Sequence, residues 1–287
     1  MLKERLRAAR EKLNEIDIPA SDAEHLAAFI LGIERMQLHA REFSFNSDQE
    51  KEFDDLLEQR IKGIPLQYLT GAAPFRHLVF DVGPGVLIPR PETELLVDAA
   101  LVEIERMQAA TEWNRHPISV VDLGSGSGAI AVSIDYEAKL RGMPVQVVAV
   151  ESEPEALIWT KRNIAKHEVD VRIVESRVES ALQDVKCDLV IANPPYIPNE
   201  LIIGRDLPIE LSFEPNTALY GGQDGLDVPL TFIEAASRIL KNGGLFLLEH
   251  HESQSDALLA IMNRNFRELT SFKDLNQRPR WISARRS

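Results

Sequence analysis

The chain of 287 residues has little of several features that would place a protein in a class. Cys187 is its single cysteine, which excludes intramolecular disulfides and cysteine-rich zinc sites. No apolar run approaches the length of about 20 residues that a membrane helix needs, and the first residues contain no apolar signal core. We therefore predict a cytoplasmic protein without a membrane partner, in which Cys187 is a buried, inert thiol.

The chain also lacks the excess of basic residues that is typical of proteins that bind the phosphates of nucleic acid. The 32 lysines and arginines face 45 acidic residues, which gives a formal net charge of -13. Proteins that neutralise phosphates usually show a clear basic excess. The negative net charge disfavours duplex DNA as a substrate and direct nucleic-acid binding in general. It leaves open a local basic patch on the surface.

The first 72 residues are predicted to be helical. Ser21 precedes Glu24 by three residues, and Ser47 precedes Glu50 in the same way, which is the spacing of a capping box at a helix start. Behind both sites apolar residues recur at helical spacing. We expect a small helical domain over residues 1–72. It carries no catalytic constellation, so a purely packing role stays open for it.

The pattern changes near residue 73. Two strand-like segments, 76–82 and 86–88, flank Gly83-Pro84-Gly85 and predict a β-hairpin that links two domains across residues 73–90. Over residues 91–287 strand-like and helix-like patterns alternate, which predicts an α/β domain with a mostly parallel sheet and helices on both faces. Strands are expected near residues 118–123, 145–150, 170–174, 187–192 and 244–250.

A glycine-rich turn follows the first of these strands and leads into a helix-like pattern. The turn consists of Gly124, Ser125, Gly126, Ser127 and Gly128. Glycine lets a ligand approach the backbone, and a helix start offers unpaired N–H groups, so a nucleotide-like ligand is expected here. Glu151, at the end of the next strand, can accept hydrogen bonds from ribose hydroxyls. The loop also satisfies the looser dinucleotide fingerprint, so it leaves S-adenosylmethionine and a nicotinamide or flavin cofactor open.

The tetrapeptide Asn193-Pro194-Pro195-Tyr196 carries the most specific chemistry of the chain. Proline has no N–H, so the main-chain carbonyls at this strand end are free to accept hydrogen bonds from a ligand. The Asn193 side chain adds an acceptor and Tyr196 a flat face, which together suit the two protons of a planar –NH2 group. The target is therefore predicted to be an amide or an exocyclic amine. Hydride chemistry needs no such clamp, so the tetrapeptide favours S-adenosylmethionine.

The clamp and the loop from Asp122 to Gly128 resemble the amino-methylating class of S-adenosylmethionine-dependent methyltransferases. More narrowly, the chain is similar to the release-factor glutamine N5-methyltransferases, the HemK/PrmC family. The segment Ile88-Pro-Arg-Pro-Glu-Thr-Glu94 narrows the likeness, because a related family that modifies a ribosomal-protein glutamine lacks it. The likeness extends to Gly63-Ile-Pro-Leu-Gln-Tyr-Leu-Thr-Gly71, Phe213-Glu-Pro215, Gly221-Gly222, Asp224-Gly225-Leu226 and Leu248-Glu249-His250.

The resemblance implies a Rossmann-like class I methyltransferase domain that uses S-adenosylmethionine to modify peptide chain release factors. Residues 124–128 would hold the methionine part of the cofactor, Glu151 its ribose, and Asn193 would border both ligands. The target amide would lie against Asn193, Pro194, Pro195 and Tyr196, with Asn193, Pro194 and Tyr196 as the catalytic set. The helical domain would help to dock the release factor.

The chain departs from the family pattern at one place. After the third strand the family commonly has an aspartate followed by a large apolar residue, both facing the adenine. Here the matching residues are Arg177 and Val178, so the resemblance implies an adenine contact from Val178 but not from a carboxylate at position 177.

Other functions stay open at this point. The same clamp would fit adenine N6 in DNA or RNA, although the acidic charge and the lack of an added target-recognition domain count against that substrate. An inactive binding protein with a methyltransferase fold is supported only by Arg177 and Val178. His250, His251 and Glu252 resemble a metal cluster, but adjacent strand residues point to opposite faces, so no metal is predicted.

Overall fold

The computed structural model describes residues 2–109, 116–199, 201 and 208–287. Its internal contacts separate two compact units, Met1–Ala72 with Pro208–Phe213, and Ala73–Leu207 with Glu214–Ser287. The short segment 208–213 groups with the N-terminal unit, which no sequence pattern indicated. In the described parts of the chain, no helix is both long enough and apolar enough to cross a membrane.

The smaller unit is helical, as the apolar spacing predicted. Its helices are α1 (Leu2–Asn14), α2 (Asp22–Leu31), α3 (Gln37–Ala40), α4 (Ser47–Ile61) and α5 (Leu66–Thr70), with a 3-10 helix at Ile209–Phe213. Leu13, Leu26 and Phe53 are fully buried in a core that belongs to this unit. It therefore has the separate hydrophobic core that a domain needs.

Helix α4 begins differently from the prediction. The capping box of Ser47 and Glu50 is wrong, because Ser47 is already helical and Asn46 is the N-cap. Asn46 has an extended backbone, and its side chain accepts from the N–H of Gln49 at 2.9 Å, while the Gln49 side chain accepts from the N–H of Asn46 at 3.1 Å. Ser21 precedes α2, but its backbone is helical and its side chain makes no capping bond.

A buried charge cluster lies inside the smaller unit. Arg60, on α4, is 3% exposed, and its guanidinium donates to Asp22 Oδ2 at 2.8 Å and to Glu210 Oε1 at 2.7 Å. It also donates to the carbonyl of Ile64 at 3.2 Å. Asp22 is itself buried, so loss of the cation would leave an uncompensated charge in the interior.

The β-hairpin is present, but its turn lies earlier than predicted. Strands β1 (Ala72–Phe75) and β2 (Leu78–Asp81) pair with each other, so the chain reverses at residues 76–77. The segment Gly83-Pro84-Gly85 serves another purpose. A Cβ on Gly83 would lie 2.5 Å from a ring atom of Trp159, whose Nε1 donates to the Pro84 carbonyl at 3.2 Å. The glycine permits close packing on an aromatic ring rather than a chain reversal.

The larger unit is built on a seven-stranded sheet with the order β5-β4-β3-β6-β7-β9-β8. Its strands are β3 (Ile118–Leu123), β4 (Val145–Glu151), β5 (Val171–Glu175), β6 (Cys187–Ala192), β7 (Leu240–Glu249), β8 (Phe266–Lys273) and β9 (Pro279–Arg286). Strands β3 to β7 pair in parallel, and β9 is antiparallel to β7 and β8. The strand order reverses at β3, where sheets of this kind place their ligands.

Helices connect these strands. They are α6 (Glu94–Ala109), α7 (Ala129–Leu140), α8 (Pro154–Lys166), α9 (Asn216–Leu219), α10 (Asp227–Ile239) and α11 (Ser255–Met262), with short 3-10 helices at Pro91–Thr93 and Glu252–Gln254. The alternation of strands and helices confirms the predicted α/β domain with a mostly parallel sheet, next to a helical N-terminal unit.

The five predicted strands are confirmed as β3 to β7, four of them to within one residue at each end. Strands β8 and β9 were not predicted from the sequence. Most side chains of β8 are exposed, so it offers no continuous apolar run. Strand β6, in contrast, is buried along its whole length, and its sequence is a nearly continuous apolar run. Its first residue, Cys187, is fully buried, as predicted, and burial raises the pKa of the thiol to about 12.

The Arg60 cluster generates a stability prediction. Arg60→Met should lower the free energy of unfolding by about 3–5 kcal/mol, because it leaves Asp22 buried without its cation. Lys62→Met is the matched control, since Lys62 lies two residues away in an exposed pair with Glu58 and should cost less than about 1 kcal/mol. Urea denaturation of both variants measures the difference. Equal losses would show that the buried cluster contributes no more than a surface pair.

Candidate active site

The register of the parallel strands brings four strand ends into one row. Leu123 pairs with Val150 and Ala192, and Ala192 pairs with Leu248. The residues that follow these four are Gly124, Glu151, Asn193 and Glu249. Because parallel strands share one direction, all four lie at the same edge of the sheet. We call them the edge row.

A cavity of about 760 Å³ opens beside the edge row, within the range of small-molecule sites. Its lining includes three members of the row, Gly124, Glu151 and Asn193. The other sequence-predicted residues in the lining are Ser125, Gly126, Ser127, Val178 and Pro195. Gly128, Pro194 and Tyr196 belong to the same segments but do not line it. The structure thus brings most of the glycine loop and two residues of the clamp, Asn193 and Pro195, to one cavity.

The glycine loop turns between β3 and α7. Gly124, Gly126 and Gly128 have φ values of 70°, 55° and 82°, a region that residues with a Cβ rarely adopt. A Cβ on Gly126 would meet no atom within 4 Å, so this glycine faces open space. The loop therefore leaves room for a ligand to approach its backbone.

The Glu151 carboxylate braces that loop. Its Oε2 accepts from the N–H of Gly126 at 2.7 Å, and its Oε1 accepts from the N–H groups of Ser152 at 2.8 Å and Glu153 at 2.9 Å. A carboxylate offers about four lone-pair sites, so these bonds leave capacity for a further donor. Ribose binding by Glu151 stays a prediction, and the structure adds a second role in holding the loop.

Asp122 is a buried carboxyl beneath the loop. Its Oδ2 accepts from the N–H of Ala131 at 3.2 Å, whereas its Oδ1 is buried without a partner among the described residues. Burial, with a smaller contribution from Glu151, raises the pKa of Asp122 to about 7. The Oγ of Ser125 is likewise buried without a described partner. Ser125 lines the cavity, and an orphaned hydroxyl there fits a ligand that brings hydrogen-bonding groups.

Arg177 and Val178 both line the cavity. The Arg177 side chain is 78% exposed and pairs with Glu179 at 3.1 Å, whereas Val178 is half-buried and packs against the core. Glu179 lines the cavity as well. A carboxylate is therefore available two residues beyond the position where the family has its aspartate.

Asn193 is half-buried, and its Nδ2 donates to the Oγ1 of Thr93 at 3.0 Å. Within the described part of the chain, the hydrogen bonds of the clamp involve neither Oδ1 of Asn193 nor the carbonyl of Pro194. These are the two acceptors that the sequence analysis assigned to the target amide.

Glu249 is the buried centre of the clamp. Its Oε2 accepts from the hydroxyl of Thr93 at 2.7 Å and its Oε1 from the hydroxyl of Tyr196 at 3.0 Å. Burial raises the pKa of Glu249 to about 7, although both hydrogen bonds favour the ionised form. Burial next to this carboxylate also raises the pKa of Tyr196.

No role was predicted for Thr93 or Glu249 from the sequence. For Glu249 a signal existed, because it ends a buried apolar strand as Glu151 does. For Thr93 there was none, since it lies 100 residues before Asn193 in a short 3-10 helix.

Further contacts fix the backbone around the clamp. The Nε2 of buried Gln254 lies 2.9 Å from the carbonyl oxygen of Tyr196 and 3.0 Å from that of Gly225. The carboxylate of buried Glu214 accepts from Arg90, which lines the cavity, at 2.5 Å. Segments that carried the family resemblance thus meet around one site.

The histidines after β7 do not form a metal centre in the described part of the chain. His251 caps the short 3-10 helix that begins at Glu252. The described residues contain no group of three or more histidine, cysteine or acidic side chains placed to hold a metal ion.

Known proteins match nearly the whole length of the chain. Residues 4–71 match the family described as "PrmC N-terminal domain" and residues 100–202 the family described as "Methyltransferase small domain". A release factor glutamine methyltransferase from Streptomyces coelicolor is 35% identical and covers 97% of this chain and 96% of its own length. Its counterparts from Bifidobacterium longum and Salmonella typhimurium are 37% and 35% identical, covering 94% and 91% of this chain and 93% and 89% of their own lengths.

Two solved structures share the fold. One is a 16S rRNA methyltransferase of T. thermophilus with AdoMet and guanosine, with a TM-score of 0.51, 19% identity, and coverage of 75% of this chain and 50% of that one. The other is the hMettl16 catalytic domain with an RNA hairpin, with a TM-score of 0.51, 16% identity, and coverage of 85% and 82%.

The sheet order, the glycine loop and the edge row define a class I methyltransferase. The identities to full-length relatives narrow this class further. The chain belongs to the family of release factor glutamine methyltransferases, which confirms the resemblance drawn from its sequence.

Asp122 generates a prediction about pH. Its raised pKa means that the folded protein keeps the proton while the unfolded chain releases it, so stability falls as pH rises through about 7. Asp122→Asn has no proton to lose. The variant should therefore become more stable relative to the parent protein as pH rises. Between about pH 5 and about pH 8 the difference in their free energies of unfolding should shift by about 1–3 kcal/mol in favour of the variant. Urea denaturation across this range measures the gain, and parallel pH profiles would contradict the assignment.

Proposed function

We propose that this protein transfers a methyl group from S-adenosylmethionine to the side-chain amide N5 of the glutamine in the Gly-Gly-Gln motif of peptide chain release factors. Membership in the family supports the reaction class and the kind of substrate. The observation that carries the proposal is the presence of Asn193 in the same edge row and cavity lining as Gly124 of the glycine loop. A substrate that acts in translation also supports a cytoplasmic location.

The residues at the sheet edge fit S-adenosylmethionine, which when bound supplies an electrophilic methyl group on a sulfonium. Residues 124–128 would hold its methionine part, with open space at Gly126 and an orphaned hydroxyl at Ser125. Glu151 would accept from the ribose, and Val178 would contact the adenine. Carboxylates in the cavity lining suit a ligand that carries positive charge. The carboxylates that line the cavity are those of Glu151, Glu153, Glu179 and Asp227.

Asn193 and Pro194 would orient the target amide. An amide nitrogen is a poor nucleophile, because its lone pair is delocalised into the carbonyl. One N–H would be donated to Oδ1 of Asn193 and the other to the carbonyl of Pro194, which aligns the nitrogen and stabilises the positive charge that develops on it. No strong base is needed before transfer, since the proton can leave afterwards.

The rest of the clamp would shape the space around the amide. Tyr196 would pack against the planar group, and its hydroxyl bond to Glu249 restricts the ring to one orientation. Pro195 lines the cavity. Since proline fixes φ, the two prolines keep the clamp rigid without a side-chain brace of their own.

The smaller unit would dock the release factor. Its match to the PrmC N-terminal domain over residues 4–71 and its own hydrophobic core support an independent binding module. The net charge of -13 supports a protein substrate rather than nucleic acid.

Two variants separate catalysis from cofactor binding. Asn193→Ala should lower turnover by about a hundredfold or more, because it removes one oriented acceptor in a desolvated site, while the Kd for S-adenosylmethionine changes little. Glu151→Ala should mainly weaken cofactor affinity, since it removes both the ribose acceptor and the brace of Gly126. Titration calorimetry and single-turnover kinetics measure the two effects. The reverse pattern would overturn the assignment.

The substrate is tested by incubating the protein with S-adenosylmethionine and unmodified release factor, followed by mass spectrometry of the Gly-Gly-Gln peptide. One added methyl group on the glutamine, formed far more slowly with Asn193→Ala, is the expected result. Adenine-containing DNA and RNA oligonucleotides serve as competing substrates in parallel. Methylation of an oligonucleotide instead of the peptide would replace the proposed function with adenine N6 methylation.

A further inference from the structure

A continuous hydrogen-bond chain runs from a buried carboxylate to the clamp amide. Glu249 accepts from Thr93, and Thr93 accepts from the Nδ2 of Asn193. Glu249 is fully buried and Thr93 nearly so, and this burial shields the hydrogen bonds from water. The same carboxylate accepts from Tyr196 through its other oxygen. One buried group therefore holds two side chains of the clamp.

The donor and acceptor of each hydrogen bond in this series follow from the number of protons available. An ionised carboxylate can only accept, so the single hydroxyl proton of Thr93 must point at Glu249. The Thr93 oxygen can then only accept from Asn193, which has to present its –NH2 group to it. The amide oxygen of Asn193 is left facing away from Thr93. The assignment of amide nitrogen and oxygen thus rests on proton count as well as on the observed distances.

We infer that Thr93 and Glu249 are positioning residues that lock the Asn193 amide with its oxygen available to the substrate. The inference rests on the proposed function, in which that oxygen receives an N–H of the target amide. A flipped amide would present –NH2 to –NH2 and lose the acceptor. Neither residue needs to touch the reacting atoms, since both act through Asn193.

Protonation of Glu249 would release the lock. A neutral carboxyl carries a proton of its own, so Thr93 would no longer be forced to donate to it and could donate to Asn193 instead. The charged and titratable groups that influence Glu249 are Tyr196, Arg280 and Glu92. Arg280 favours the ionised form and Glu92 opposes it, while burial is the dominant effect and raises the pKa to about 7. The lock is therefore expected to strengthen as pH rises through neutrality.

The matched pair Thr93→Val and Thr93→Ser tests the lock. Valine keeps the shape of threonine but lacks the hydroxyl, so turnover should fall about tenfold to a hundredfold, with the Kd for S-adenosylmethionine within about twofold of the parent protein. Serine keeps the hydroxyl and should retain most of the turnover. A Thr93→Val enzyme with parental turnover would overturn the inference.

A double-mutant cycle separates positioning from a general structural role. If Thr93 acts only through Asn193, then Thr93→Val should change residual turnover by less than about twofold in an Asn193→Ala background. An equal loss in both backgrounds would show that Thr93 acts by another route and would overturn the inference.

Glu249→Gln provides a second variant if Thr93→Val folds poorly. The parent enzyme should gain up to about tenfold in turnover between about pH 6 and about pH 8, as Glu249 ionises. The glutamine variant has no such ionisation, so this gain should disappear. An unchanged pH profile in Glu249→Gln would contradict the role of this carboxylate.

A readout without substrate keeps the inference separable from the proposed function. The side-chain amide signals of Asn193, assigned by their loss in Asn193→Ala, should show one strongly hydrogen-bonded proton in the parent protein and in Thr93→Ser, but not in Thr93→Val. If the parent protein leaves the release factor unmodified, the proposed function fails while this spectrum still decides the orientation. Identical spectra for Thr93→Val and the parent protein would refute the lock.

Discussion

Parallel strand pairing is the constraint on which the rest of the larger unit depends. The ladder from β4 through β3 and β6 to β7 sets the last paired residues side by side, so whatever follows them is gathered at one edge. No loop has to reach across the molecule to assemble the edge row. A slip of one residue between β6 and β7 would move Glu249 out of line with Asn193 and turn its side chain to the other face.

Buried carboxyls at this edge are costly for the fold. Asp122 and Glu249 both have a pKa raised to about 7 by burial, and one oxygen of Asp122 has no partner among the described residues. A core built for stability alone would place apolar side chains at these positions. Departures of this kind gather where a protein holds its ligands, and here they lie in and next to the edge row.

The sequence predicted what depends on local pattern. Buried parallel strands are continuous apolar runs, so β3, β4 and β6 and the residues at their ends, including Glu151 and Asn193, could be located from the sequence. Strand β8 exposes most of its side chains and gave no such signal. The helix cap at Asn46 differed from the predicted one by a single position, because serine and asparagine compete as caps and only backbone conformation decides between them.

The partner of Asn193 could not be predicted, because it is a contact between distant segments. Thr93 lies just beyond the linker predicted over residues 73–90, and only the folded chain brings its hydroxyl to the clamp. Contacts of this kind depend on how a 3-10 helix lies over a sheet edge, which no periodicity in the chain encodes. Glu249, in contrast, could have been predicted as Glu151 was, because each is a glutamate at the end of a buried apolar strand.

The sheet order also has a consequence for the time at which the site forms during synthesis. Strand β9, the last strand in the chain, pairs with β7 on one side and β8 on the other. Until β9 has left the ribosome, the strand that carries Glu249 has an open edge, and an open edge is a template for wrong pairing. The carboxylate that organises the clamp is therefore the last part of the site to be sheltered in a newly made chain.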